Sequence, residues 1–142
     1  MLFRSADDAM LKYRQGFRPG QLQKPHAILG TAVVCADTDE EASHLAKTVD
    51  LNFVRRSRGE FMPLSSPEEA SAQSYAPIDL QRIQYNRSRM SVGSPKTVRA
   101  KLDALIATTQ ADEVMITTMV YDHQARRHSY ELLAKEFGLT PR

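Results

Sequence analysis

The chain has 142 residues, 42% of them hydrophobic and 25% charged, proportions that exclude a disordered polypeptide and leave room for one domain around one core. No apolar run reaches the roughly 20 residues that cross a bilayer, and the opening Met1-Leu2-Phe3-Arg4-Ser5-Ala6-Asp7-Asp8 lacks a signal peptide's layout, so no membrane partner and a cytoplasmic location are expected. The net charge is only +2, and a single cysteine, Cys35, excludes an intramolecular disulfide and fits a reducing compartment.

Residues 5 to 17 read as a helix, with Ser5 as N-cap, Asp7 and Asp8 in the first turn where the dipole favours acids, and Ala6, Met10, Tyr13 and Phe17 on one face. Pro19-Gly20 ends it. Ile28 to Ala36 is apolar nearly throughout, the pattern of a strand buried on both faces, and Gly30 within it suggests a bulge or a close backbone approach. Cys35 reads as a small core residue. Thr38 opens a second helix, with Glu41 completing a capping box and Ala42, Leu45, Ala46, Val49 and Phe53 as the buried stripe; the pattern predicts one helix to about Arg58, stopped by Gly59. Residues 60 to 89 form a long connection holding Pro63, Pro67 and Pro77. A structureless connection of that length is improbable, so helical pieces are expected from Ser66-Pro67-Glu68-Glu69 and over Ile78 to Tyr85.

Met90 to Val92 is a short apolar strand, followed by the turn Gly93-Ser94-Pro95 and a helix whose stripe is Val98, Leu102, Leu105 and Ile106. Val114 to Val120 is the strongest strand in the chain, and a last helix from Asp122 or His123 should bury Ala125, Leu132, Leu133 and Phe137 before Gly138 stops it. Alternating strands and helices point to an α/β fold with a parallel sheet, where ligands gather at the carboxyl ends of the strands. Here those ends carry Gly93-Ser94 and Tyr121-Asp122-His123. Three strands, one of them very short, leave open edges. A homo-oligomer, a docking partner or further barrel strands should cover them.

Asp122 reads first as a helix N-cap and only second as an acid. His123, in the first helical turn, could donate to an anionic or carbonyl oxygen, and Arg126 could hold a phosphate or carboxylate or pair with Glu131. Free N–H groups at Gly93-Ser94 could cradle a phosphate, although a lone Gly-Ser-Pro falls far short of a P-loop. His123 and His128 lie about 140° apart on a helix, so no metal is expected between them. The basic clusters around Arg55, Arg87 and Arg126 lack interleaved aromatics and read as solvated faces, with no nucleic-acid partner.

Six segments in order resemble a known family, the luciferase-like flavin-dependent monooxygenases, which are (β/α)8 barrels. They are Tyr13-Arg14-Gln15-Gly16-Phe17-Arg18-Pro19, Ala36-Asp37-Thr38-Asp39-Glu40-Glu41-Ala42, Val92-Gly93-Ser94-Pro95-Lys96-Thr97-Val98, Ala111-Asp112-Glu113-Val114-Met115-Ile116, Tyr121-Asp122-His123, and Ser129-Tyr130-Glu131-Leu132-Leu133-Ala134. Their spacing is similar to the C-terminal part of such an enzyme, about three βα units in one domain spanning residues 1–142, with 60–89 the least similar stretch. The resemblance implies reduced FMN, or the deazaflavin F420, and oxidation of aldehydes or other small organic substrates with dioxygen. It implies a cleft-lining role for Gly93, Ser94, Tyr121, Asp122 and His123. Because the family's flavin contacts come largely from earlier strands, the chain alone is expected to bind FMN weakly or not at all. A barrel's catalytic face is built by loops that follow strands, so the 60–89 segment, which follows a helix, is not expected to be a substrate lid.

Overall fold

A computed structural model describes residues 5–140. Its centre is strand β1 (Ile28–Cys35), flanked by two parallel strands, β2 (Met90–Gly93) and β3 (Glu113–Thr117), in the order β2-β1-β3. The α/β class, the parallel strands and the incomplete sheet expected of part of a barrel are all present. The strands do not lie in chain order, because the first occupies the middle. Ala32 to Cys35 pair with Met90 to Gly93, whereas Ile28 to Ala32 pair with Glu113 to Thr117. The first half of β1 therefore has a strand on one side only.

Side chains alternate across the sheet and so divide the core in two. Val33 and Cys35 point to the face covered by α6 (Pro95–Thr109) and α7 (His123–Glu136), where they meet Val98, Leu102 and Leu133. Val34 points the other way and packs with Ala46, Val49 and Val120. Beyond Val34 that second face lies open: Ile28 is 49% exposed and Met115 59%. β1 is thus buried on both faces only at its carboxyl end, and not along its whole length as expected. Gly30 makes no bulge, since it pairs in regular register with Met115, and a Cβ there would meet open space.

The expected helix over 38–58 is two helices, α2 (Asp39–Leu45) and α3 (Lys47–Ser57). They meet at Ala46, where ψ of −10° tightens the turn and Val49 donates to the Ala46 carbonyl at 3.0 Å. The break lets Ala46, with no exposed surface, and Val49 both reach Val34. Thr38 caps α2 through Glu41 N–H. In the 60–89 connection the two expected helical pieces appear as α4 (Pro67–Ser71) and α5 (Pro77–Ser88), the first with a complete Ser66/Glu69 capping box. β3 ends at Thr117 and not at Val120, because the Thr118 N–H leaves the ladder and donates to the Tyr130 hydroxyl at 2.9 Å. Ser5 caps α1 (Ala6–Gly16) as expected, yet that helix buries none of its residues; Arg14 ties it to Asp112 at 2.6 Å.

Candidate active-site face

At the carboxyl end of β2, Gly93 sits at φ +152°, and a Cβ there would lie 2.6 Å from Thr97 Cγ2 and 2.7 Å from Asp39 Oδ1. The close approach has a cause. The first carboxylate of α2, Asp39, accepts the Ser94 N–H at 2.6 Å and the Thr97 hydroxyl at 3.2 Å. The Ser94 backbone N–H and both hydroxyls hold the Asp39 carboxyl below its usual pKa, with the Lys101 charge adding to them. The turn expected to cradle a phosphate is therefore taken by an anion of the chain itself, and an external phosphate would have to displace Asp39. Ser94 does begin α6, but its hydroxyl bonds Thr97 Oγ1 and not a backbone N–H.

The second cluster lies where the chain enters α7. Asp122 is the N-cap, accepting the Ala125 N–H at 2.7 Å. His123 Nδ1 faces the Arg126 guanidinium at 3.2 Å, so Arg126 pairs with His123; its neighbour Arg127 takes Glu131 at 3.4 Å. Tyr121 is 57% exposed. His128 turns away from His123 to Asp37 at 3.1 Å, and no cluster of metal-ligating side chains occurs among the described residues. No hydrogen bond or ion pair joins Gly93 or Ser94 to Tyr121, His123 or Arg126 among the described residues. Cys35 is no nucleophile: burial, then the nearby Asp37 charge, push its thiol up to about 11.

A third feature was not expected. On the open face of the sheet a groove of about 520 Å³ runs between β1 and α3. Gly30, Ala32, Val49, Phe53, Met90 and Met119 give it an apolar floor, and Asn52, Arg56, Asn86 and Arg89 give it a polar rim. Residues 60–89 contribute to this groove as a wall. α3, α4 and α5 pack together, with Arg87 of α5 gripping Asp50 of α3 at 2.7 and 2.8 Å, so the excursion after β1 stays with the open face and α5 supplies one groove wall. The available sequence signal was the run Val49, Asn52, Phe53, Arg56. Its spacing places two polar groups on the same helix face as the apolar stripe.

One face of the parallel sheet is covered by α6 and α7, and the other only in part by α2 and α3, which leaves the groove and the side chains toward Ile28 and Met115 uncovered, as in an incomplete barrel. No family model matches the chain. Individual proteins do. The luciferase-like monooxygenase of Escherichia coli (strain K12) is 35% identical over 125 residues, 87% of this chain and 37% of its own length. The crystal structure of apo-MsnO8 superposes with a TM-score of 0.85 at 35% identity, covering 96% of this chain and 42% of that one. An FMN complex of a type II Baeyer-Villiger monooxygenase, the oxygenating constituent of 3,6-diketocamphane monooxygenase from Pseudomonas putida, gives a TM-score of 0.51 at 27% identity, covering 80% of this chain and 34% of that one. The chain is a relative of the luciferase-like monooxygenases. It spans about two fifths of the length of the curated relatives it matches.

Proposed function

We propose that the chain forms part of the catalytic barrel of a flavin-dependent monooxygenase that oxidises small organic substrates, aldehydes among them, and that it needs further barrel strands to act. One observation carries this reading: the sheet face bearing the groove has no helical cover over Ile28, Gly30 and Met115, all exposed, as a barrel's lumen would be if its other strands were missing. Bound reduced flavin would supply the electrons for dioxygen activation. The turn at Gly93-Ser94 does not fit the cofactor's phosphate, because Asp39 fills it. The groove suits an aromatic ring better, with its apolar floor and its rim of donors.

The test is an FMN titration followed by absorbance and fluorescence. The chain alone should bind FMN weakly or not at all. Grafted in place of the matching segment of the FMN-binding Baeyer-Villiger monooxygenase, it should leave one flavin bound per barrel. A folded graft without flavin, or tight stoichiometric binding with turnover by the chain alone, would overturn the reading.

A second reading, a non-enzymatic half-barrel that dimerises or docks through its open strands, draws support from the same exposed side chains, with Met119 46% exposed beside Ile28 and Met115. Light scattering separates the two readings. A stable dimer that blocks the groove and binds no flavin favours the second; a monomer disfavours it.

A further inference from the structure

We infer that the groove between β1 and α3 is a site for an organic anion, with Arg56 and Arg89 taking a carboxylate or phosphate and the floor taking an apolar body. The assignment rests on the open face being the lumen side of a barrel, and it names the class of molecule that face would accept.

Their place at the groove, the lack of a carboxylate partner and a ring beneath each together set the two arginines apart. Arg14, Arg58, Arg82, Arg87, Arg99 and Arg127 each have a carboxylate within ion-pair distance. Among the described residues Arg18, Arg55, Arg56, Arg89 and Arg126 have none, and of these only Arg56 and Arg89 line the groove. Each instead lies over a ring, Arg56 over Phe61 at 5.5 Å and Arg89 over Tyr85 at 5.6 Å. Such stacking holds a guanidinium in place while leaving its N–H edges available. Among the described residues no acidic side chain lines the groove to neutralise them. The side-chain amide of Asn52, half-buried on the same wall, has no hydrogen bond among the described residues, and Asn86 spends its amide on the Met90 sulfur at 3.4 Å. Two cations and an unused carboxamide above apolar side chains match a molecule with one charged end and one greasy end. A neutral molecule of the same size would fill the floor and leave the guanidiniums idle.

The experiment maps backbone amide shifts of the isotope-labelled full chain during titration with octanoate and with octanol, and in parallel with FMN and with riboflavin. Octanoate should move the amides of Gly30, Ala32 and Asn52 saturably and bind about tenfold more tightly than octanol, the size expected of charge-assisted hydrogen bonds at a partly exposed site. Arg56→Gln combined with Arg89→Gln should reduce that ratio to about one while octanol binding stays unchanged, which a merely structural role would not produce. Preference for octanoate assigns the anion to a substrate; preference for FMN over riboflavin at the same amides assigns it to the flavin's phosphate. No preference within either pair, shifts mapping away from the groove, or a preference that survives the double substitution would overturn the inference. The graft experiment is independent of this one, so loss of anion preference leaves the barrel reading standing and loss of flavin binding leaves the groove standing.

Discussion

Gly93 leaves the space in which the Asp39 carboxylate reaches the Ser94 N–H. Asp122 as N-cap follows from three positions of local spacing, whereas the Asp39 contact to Ser94 joins groups 55 positions apart and leaves no local trace. Gly93 records that contact. Gly93→Ala should destabilise the chain by roughly 3 kcal/mol in urea unfolding, because it adds a clash to a strained φ; Gly59→Ala, at φ 80° with open space around it, should cost only about 1 kcal/mol. Asp39 also sets a pH dependence. Its folded pKa is lowered, so its stabilisation is present above the unfolded value and is lost as pH falls through the folded one. Acid unfolding of Asp39→Asn should therefore lack part of the limb seen below about pH 4 in the parent chain. Cys35, only 1% exposed and with its thiol pushed up to about 11, should resist a disulfide-exchange reagent at pH 8 until urea unfolds the chain.

At the scale of elements, helices with complete end signals were placed well, as Ser66 with Glu69 and Pro95 after Ser94 show. The split between α2 and α3 escaped because Ala46 is an ordinary helix former, and only the demand of Val34 for close packing bends the chain there. The groove escaped for a related reason. Its wall is built by the docking of α5 on α3, and periodicity reports that a helix has an apolar face without reporting which element it meets. Buried Asp50 and partly buried Arg87 hold that docking. Arg87→Ala should cost about 2 kcal/mol, less than the loss of a fully buried pair, and should raise amide exchange in α5 while leaving β1 protected. Equal exchange across the whole chain would show that α5 and the sheet open together.

For the whole molecule, the sequence conveyed the α/β class and the unfinished sheet, because apolar runs alternating with helical stripes permit little else. It did not convey strand order, which depends on pairings that only the folded chain reveals. The bare face carries Ile28 and Met115 on neighbouring strands, and it should bind the dye ANS in the native chain, with fluorescence falling several-fold in Met115→Glu and in the barrel graft. Unchanged fluorescence would place the dye elsewhere. Finally, the central position of the first strand sets a timetable for biosynthesis. The Ala27 N–H just ahead of β1 finds its acceptor, Asp112, 85 positions later, and β1 gains both neighbours only once that stretch has been made. At roughly 5–20 residues per second a ribosome takes about 4–17 s to supply it. Val34 can meet Ala46 and Val49 early, but through most of that interval Val33 lacks Val98, Leu102 and Leu133, so the nascent chain needs a chaperone or dilute surroundings most while its own middle is still being translated.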